Sequence, residues 1–161
     1  LQGDWSSDVC SSDLAAVQAR KSLPNEPLTH ILRAQAAQLQ GDTATARRIF
    51  EAMLSTPDTE QLGLRGLYLE AEREGEVEAA AQFAERALKL NPKVEWPAAR
   101  LFEIQCRRRD WDGAIATLAV ARQHGHAERK VADRRRAVLL TAKAQDLEDE
   151  HADREIGRAH V

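Results

Sequence analysis

Gly41-Asp42-Thr43-Ala44-Thr45-Ala46 is followed by Gly75-Glu76-Val77-Glu78-Ala79-Ala80 and then by Arg109-Asp110-Trp111-Asp112-Gly113-Ala114. The three stretches start at 41, 75 and 109, so a small or polar turn, an acidic residue and an alanine recur at two equal intervals of 34 residues. A period of 34 is that of the tetratricopeptide repeat, in which each unit is a helical hairpin. Ala46, Ala80 and Ala114 are small enough to let the two helices of a hairpin approach closely. Phe50, Ala84 and Leu118 follow four residues later, on the same helix face.

Outward from these anchors the chain reads as helix pairs. Pro27 sits at a plausible first turn of a helix with apolar Leu28, Ile31, Leu32 and Leu39, ending at Gly41. A second helix over 43–54 places Ile49, Phe50 and Met53 on one side. Pro57-Asp58 marks a break and cap before a helix over 59–74, with Leu64, Leu67, Tyr68 and Ala71 at helical spacing. Val77 to Leu90 stops at Asn91-Pro92, because a residue before proline is pushed out of the α region. A third pair covers 96–108 and 111–123 and closes at His124-Gly125. A seventh helix over 128–150 opens a fourth unit. No strand-like alternation of useful length appears. The fold expected is therefore all-α, a right-handed solenoid of tetratricopeptide hairpins with about three repeats plus a further helix. Such hairpins bury their apolar faces only against neighbours. The last helix is expected to lack a partner and to leave Val138, Leu139, Leu140 and Leu147 partly uncovered.

Composition agrees with this class. Aromatic residues make up 4% of 161, too few for most β-sandwiches or barrels, and the formal net charge of -3 gives no general case for nucleic-acid binding. Two cysteines, Cys10 and Cys106, are too few for a disulfide scaffold or a four-cysteine zinc site. No apolar run approaches the roughly 20 residues of a membrane span, and no signal-peptide pattern opens the chain.

The two ends differ from the middle. Asp8-Val9-Cys10-Ser11-Ser12-Asp13 can be encoded as GAC GTG TGC TCT TCC GAT, and Ile156-Gly157-Arg158-Ala159-His160-Val161 as ATC GGA AGA GCA CAC GTC. These strings are reverse complements over their whole length. With GAC TGG AGT TCA for Asp4-Trp5-Ser6-Ser7, the joined string resembles a common sequencing-library adapter. Residues 1–14 and 155–161 are accordingly expected to be largely translated adapter. Residues 15–26 read as a lead-in segment, 27–150 as the repeat domain and 151–161 as a disordered tail. Without Asp4, Asp8, Asp13, Glu155 and Arg158 the formal net charge becomes zero.

Catalytic motifs are missing from the sequence: there is no Gly-rich phosphate loop, no His-Glu-x-x-His, no Gly-x-Ser-x-Gly and no paired cysteines. Cys106 reads as a thiol packed as a small hydrophobe, and His124 with His126 as a polar helix end rather than a metal pair. No cofactor and no metal are expected. The basic runs Arg107-Arg108-Arg109, Arg129-Lys130 and Arg134-Arg135-Arg136 are interrupted by Asp110, Asp112, Glu128 and Asp133, which suits a solvated helix face. The alternative is an anionic partner or lipid surface, where each cation contributes only about 1 kcal/mol. The first helix of each hairpin lines the concave side of such a solenoid. Candidate partner-binding residues there are Gln35, Gln38, Arg65, Glu72, Arg73, Glu103, Arg107 and Lys130. Their mixed charge suits a protein or peptide partner better than nucleic acid.

The stretches Pro27-Leu28-Thr29-His30-Ile31-Leu32-Arg33-Ala34-Gln35-Ala36-Ala37, Gly63-Leu64-Arg65-Gly66-Leu67 and Arg134-Arg135-Arg136-Ala137-Val138-Leu139-Leu140-Thr141-Ala142 resemble the HemY family of proteobacterial tetratricopeptide proteins. The resemblance covers nearly all of 15–148. It implies a non-catalytic scaffold that organises late haem-biosynthesis enzymes, in a parent protein held at the bacterial inner membrane by segments this sequence does not include. The flavin-dependent porphyrinogen oxidase of the same name is a different protein, and no dinucleotide fingerprint occurs here. A generic tetratricopeptide adaptor is the other expectation, and tetrapyrrole binding through His30 or His124 is a variant of the first. His30 and Arg33 stand where a regular unit has apolar residues. Tyr68 and Phe102 stand where it has a small one, which puts the usual interhelical distance in question.

Overall fold

The computed structural model describes residues 27–159, with the side chains of 153 and 155–159 excepted. The adapter-like N-terminal stretch, Cys10 and the lead-in segment at 15–26 lie outside the described residues. Seven helices and no strand occur among those described: α1 (Pro27–Leu39), α2 (Thr43–Met53), α3 (Pro57–Glu74), α4 (Val77–Leu90), α5 (Glu95–Arg107), α6 (Trp111–Gln123) and α7 (Arg129–Ala159). The chain divides into two compact units, Leu1–Glu70 and Ala71–Val161.

The 34-residue period is written into the backbone of the turns. Gly41, Gly75 and Arg109 have φ of 77°, 75° and 58°, the left-handed conformation that closes a helix without a following turn. In each case the next amide reaches back over the helix end: Asp42 N–H to Ala37 O at 2.9 Å, Glu76 N–H to Ala71 O at 2.8 Å and Asp110 N–H to Gln105 O at 2.9 Å. The left-handed residue itself donates to the carbonyls of Gln38, Glu72 and Cys106. This is the paired-bond closure known as the Schellman motif. The residue after it starts the next helix at once, since Ala46, Ala80 and Ala114 donate to the carbonyls of Asp42, Glu76 and Asp110. Asp42 and Asp110 also cap with their side chains, on Thr45 N–H at 2.9 Å and Gly113 N–H at 3.0 Å. Glu76, one methylene longer, makes no such bond.

In the first unit, Ala34, Ala37, Ala46, Ile49, Phe50, Met53, Leu64, Leu67 and Tyr68 are buried. Tyr68 occupies the interior in place of a small residue, and the close approach is made instead by Gly63 and Gly66, one helical turn apart on α3. A Cβ at Gly63 would stand 2.7 Å from Phe50 O, and one at Gly66 would overlap the Phe50 ring. Thr59 Oγ1 donates to Met53 O at 2.7 Å, tying the end of α2 to the first turn of α3. Helix α3 begins at Pro57 rather than after it. Proline at the first helical position loses no hydrogen bond, and Asp58 and Glu60 complement the positive end of the helix dipole.

Helix α1 departs from its expected face. Leu28, Leu32 and Leu39 are exposed, Leu39 to 90%, while small Ala34 and Ala37 supply the buried surface. His30 is half-buried and Arg33 exposed.

In the second unit, Ala80, Ala84, Ala87 and Leu88 are buried on α4, Ala98, Leu101 and Ile104 on α5, and Ala114 and Leu118 on α6. Asn91 adopts an extended φ of -146° before Pro92 and ends α4 as its sequence context requires. Gly125, at φ 79°, closes α6, and His126 N–H reaches back to Ala121 O at 2.8 Å. Helix α7 packs on α6 through Ala132 and Leu139. Leu139 is therefore buried, contrary to expectation, whereas Val138, Leu140 and Leu147 are exposed as expected. Helix α7 continues past the expected boundary at Glu150 and is described to Ala159; no Pro or Gly interrupts 151–156, and Arg154 pairs with Glu150 at 3.0 Å across that boundary.

Candidate interaction groove

Three helices of the second unit enclose a groove of about 810 Å³. From α5 come Glu95, Ala98, Ala99, Phe102, Glu103 and Cys106, all on one helical face by their spacing. Helix α6 contributes Trp111, Thr117, Leu118 and Ala121, and α7 contributes Arg134, Arg135, Val138, Leu139 and Ala142. The small residues make room and the larger apolar ones form the floor. Such a volume is that of a site for several side chains or one small molecule.

Charge is arranged at the rim. Glu103 is paired with Arg100 at 3.0 Å on its own helix, which offsets much of its charge. The Arg135 guanidinium lies 5.9 Å from the centre of the Phe102 ring, within range of a cation–π contact. Phe102 is thus half-buried under Arg135 and stands at the groove wall, leaving buried Ala98 and Leu101 to fill the helix interface. Cys106 is half-buried, and burial pushes its thiol pKa above the ordinary value despite the opposing effect of Arg135. A protonated, inward-packed thiol is a poor nucleophile. His126, at the end of the groove, is committed through Nε2 to Pro92 O at 3.0 Å. The groove as a whole offers apolar surface flanked by fixed charge. Among the described residues, no three His, Cys, Asp or Glu side chains cluster as a metal site would require.

The candidate partner-binding residues are distributed over both units. Gln35, Gln38 and Arg65 belong to the first, and Glu72, Arg73, Glu103, Arg107 and Lys130 to the second. Gln38 Nε2 donates to Glu70 Oε1, and Glu70 is only 1% exposed. Gln35, Arg65, Glu72, Arg73, Arg107 and Lys130 are exposed, and of the eight only Glu103 lines the groove. Sequence reasoning missed Phe102, Arg134 and Arg135 as groove residues. The signal was present: 95, 98, 102 and 106 on α5 repeat at the spacing of one helical face, as do 135, 138 and 142 on α7. His30 and His124 are half-buried in different units, and neither lines the groove.

Comparison with protein-family models, curated proteins and solved structures finds no match. No helix among the described residues is long and apolar enough to cross a membrane.

Proposed function

We propose that the chain is part of a non-catalytic tetratricopeptide scaffold, a protein-interaction module that holds partner segments in the groove between α5, α6 and α7. The observation that carries this reading is the recurrence of one turn geometry at Gly41, Gly75 and Arg109, the same 34 residues apart as the sequence anchors. An apolar floor with charge at the rim is the composition of a protein-binding site, where buried anchors supply affinity and rim charges orientation. The resemblance to HemY gives the partner class: enzymes of late haem biosynthesis, assembled at the inner membrane of a bacterium by a parent protein anchored through other segments. No cofactor has a part in it.

A photo-crosslinking amino acid at Glu103, introduced into the parent protein in its own cells, tests this. Adducts with porphyrin-pathway enzymes are expected, and they disappear when Ala99→Arg fills the groove. Adducts with unrelated proteins alone would instead make the chain a generic adaptor.

A further inference from the structure

Helix α7 carries a face that the second unit leaves uncovered. Ala137, Leu140, Ala144 and Leu147 alternate spacings of three and four, the heptad pattern of a coiled-coil seam, with Asp133, which pairs with Arg122 of α6 at 3.3 Å, and His151 at its two ends. Ala137 and Ala144 are exposed, as are Leu140 at 48% and Leu147 at 54%. Small and large residues thus alternate along an accessible stripe.

Charge is also divided along α7. Its first turn has no acidic residue and begins with Arg129-Lys130, followed past Asp133 by Arg134, Arg135 and Arg136, whereas Glu148, Asp149 and Glu150 lie further along. A neighbouring helix running the other way sets the basic part of each helix against the acidic part of the other.

We propose that α7 pairs antiparallel with α7 of a second copy of this chain, about a two-fold axis near residue 142. In that register Ala137 meets the second copy's Leu147 and Leu140 its Ala144, so every small residue faces a large one. Flanking the seam, Arg134 comes opposite Glu148 and Arg136 opposite Glu150, on both sides of the axis. Among the described residues Arg134, Arg136 and Glu148 make no ion pair, and Glu150 pairs with exposed Arg154, an exchangeable pair. Lys143, which meets its own copy at the axis, pairs with Asp112 of its own chain at 2.5 Å. A parallel pair lays the basic stretch of each helix along the basic stretch of the other and acidic along acidic, and is disfavoured. The seam from 133 to 151 is roughly 28 Å long at 1.5 Å per residue, short enough that the dimer is a weak one.

Sedimentation equilibrium of the full chain from about 10 µM to about 1 mM reads the association. Wild type is expected to dimerise towards the upper end. The Arg134→Glu/Arg136→Glu variant and the Glu148→Arg/Glu150→Arg variant, each with wild-type helicity by circular dichroism, are each expected to lose at least about tenfold in association. An equimolar mixture of the two regains it as a heterodimer. Wild type that stays monomeric throughout, association indifferent to the reversals, or a mixture that fails to associate overturns the proposal. Monomer leaves the stripe to a different helix, of the parent chain or of another protein, and indifference moves the contact to another face.

Discussion

Trp111 Nε1 donates to Asp146 Oδ2 at 2.7 Å, while Arg109 Nη1 reaches Oδ1 of the same carboxylate at 2.9 Å. Asp146 sits far along α7, so this single carboxylate binds the middle of the last helix to the first turn of α6 and to the turn before it. Beyond residue 146 every described side chain of α7 is exposed.

Asp146→Ala is expected to cost about 1–2 kcal/mol, as a charged acceptor and a partly buried indole donor lose each other. Asp146→Asn keeps an acceptor for the indole and costs less. Urea unfolding of both variants, with Trp111→Phe in a double-mutant cycle, checks the order. Equal losses in Ala and Asn would place the whole effect on the charge.

The caps at Asp42, Glu76 and Asp110 give a comparison within one molecule. Glu76→Asp shortens the side chain to the length that caps at the other two turns and is expected to stabilise by about 0.5–1 kcal/mol. A shift of the unfolding midpoint to lower urea contradicts this.

The Thr45 hydroxyl, and after it the Thr45 amide, hold the Asp42 carboxyl below its ordinary pKa. A group whose folded pKa is lowered stabilises the fold above its unfolded pKa and loses that contribution as pH falls through the lowered value. The stability gap between wild type and Asp42→Asn is therefore expected to be constant near neutrality and to close below about pH 4. A gap that widens in acid has the wrong sign.

Gly66→Ala tests the close approach of α2 and α3. In an open helix this change stabilises by about 1 kcal/mol through propensity. Against the Phe50 ring it is expected to destabilise by about 1–3 kcal/mol, with partial recovery in the Phe50→Leu background. Gly41→Ala meets no atom and is expected to cost only about 1–2 kcal/mol, from its φ of 77°. Thermal unfolding of the three variants separates crowding from backbone strain.

Cys106 reports on the groove without being a catalyst. In a Cys10→Ser background its alkylation rate is expected to rise with pH later than that of a free thiol, because burial raises its pKa. Arg135→Ala, which removes an opposing charge, is expected to move the profile higher still. A profile displaced downwards contradicts the burial argument.

The turns were legible because a Schellman closure needs particular residues in sequence: a residue tolerant of positive φ, then a cap. The period held even at Arg109, where an arginine takes the left-handed conformation and its side chain pairs with Asp146. Side-chain choice between neighbours was less legible. Leu28, Leu32 and Leu39 read as core because leucine is apolar, yet α1 buries the face with Ala34 and Ala37, which allows its close contact with α2. Gly63 and Gly66 appeared as part of a resemblance, and their role follows only from the position of Phe50. The groove was hidden for a similar reason. Its walls come from three successive helices whose facing sides depend on how they pack, and Arg134 and Arg135 look like ordinary surface cations until Phe102 is placed beneath Arg135.

The most direct test of the account is the titration of purified late porphyrin-pathway enzymes with this chain, followed by calorimetry. Saturable binding of at least one enzyme is expected, weakened at least tenfold by Ala99→Arg in the groove and unchanged by Arg48→Glu on α2. Absence of binding to every such enzyme, or binding indifferent to Ala99→Arg, would contradict the assignment of the groove as the partner site.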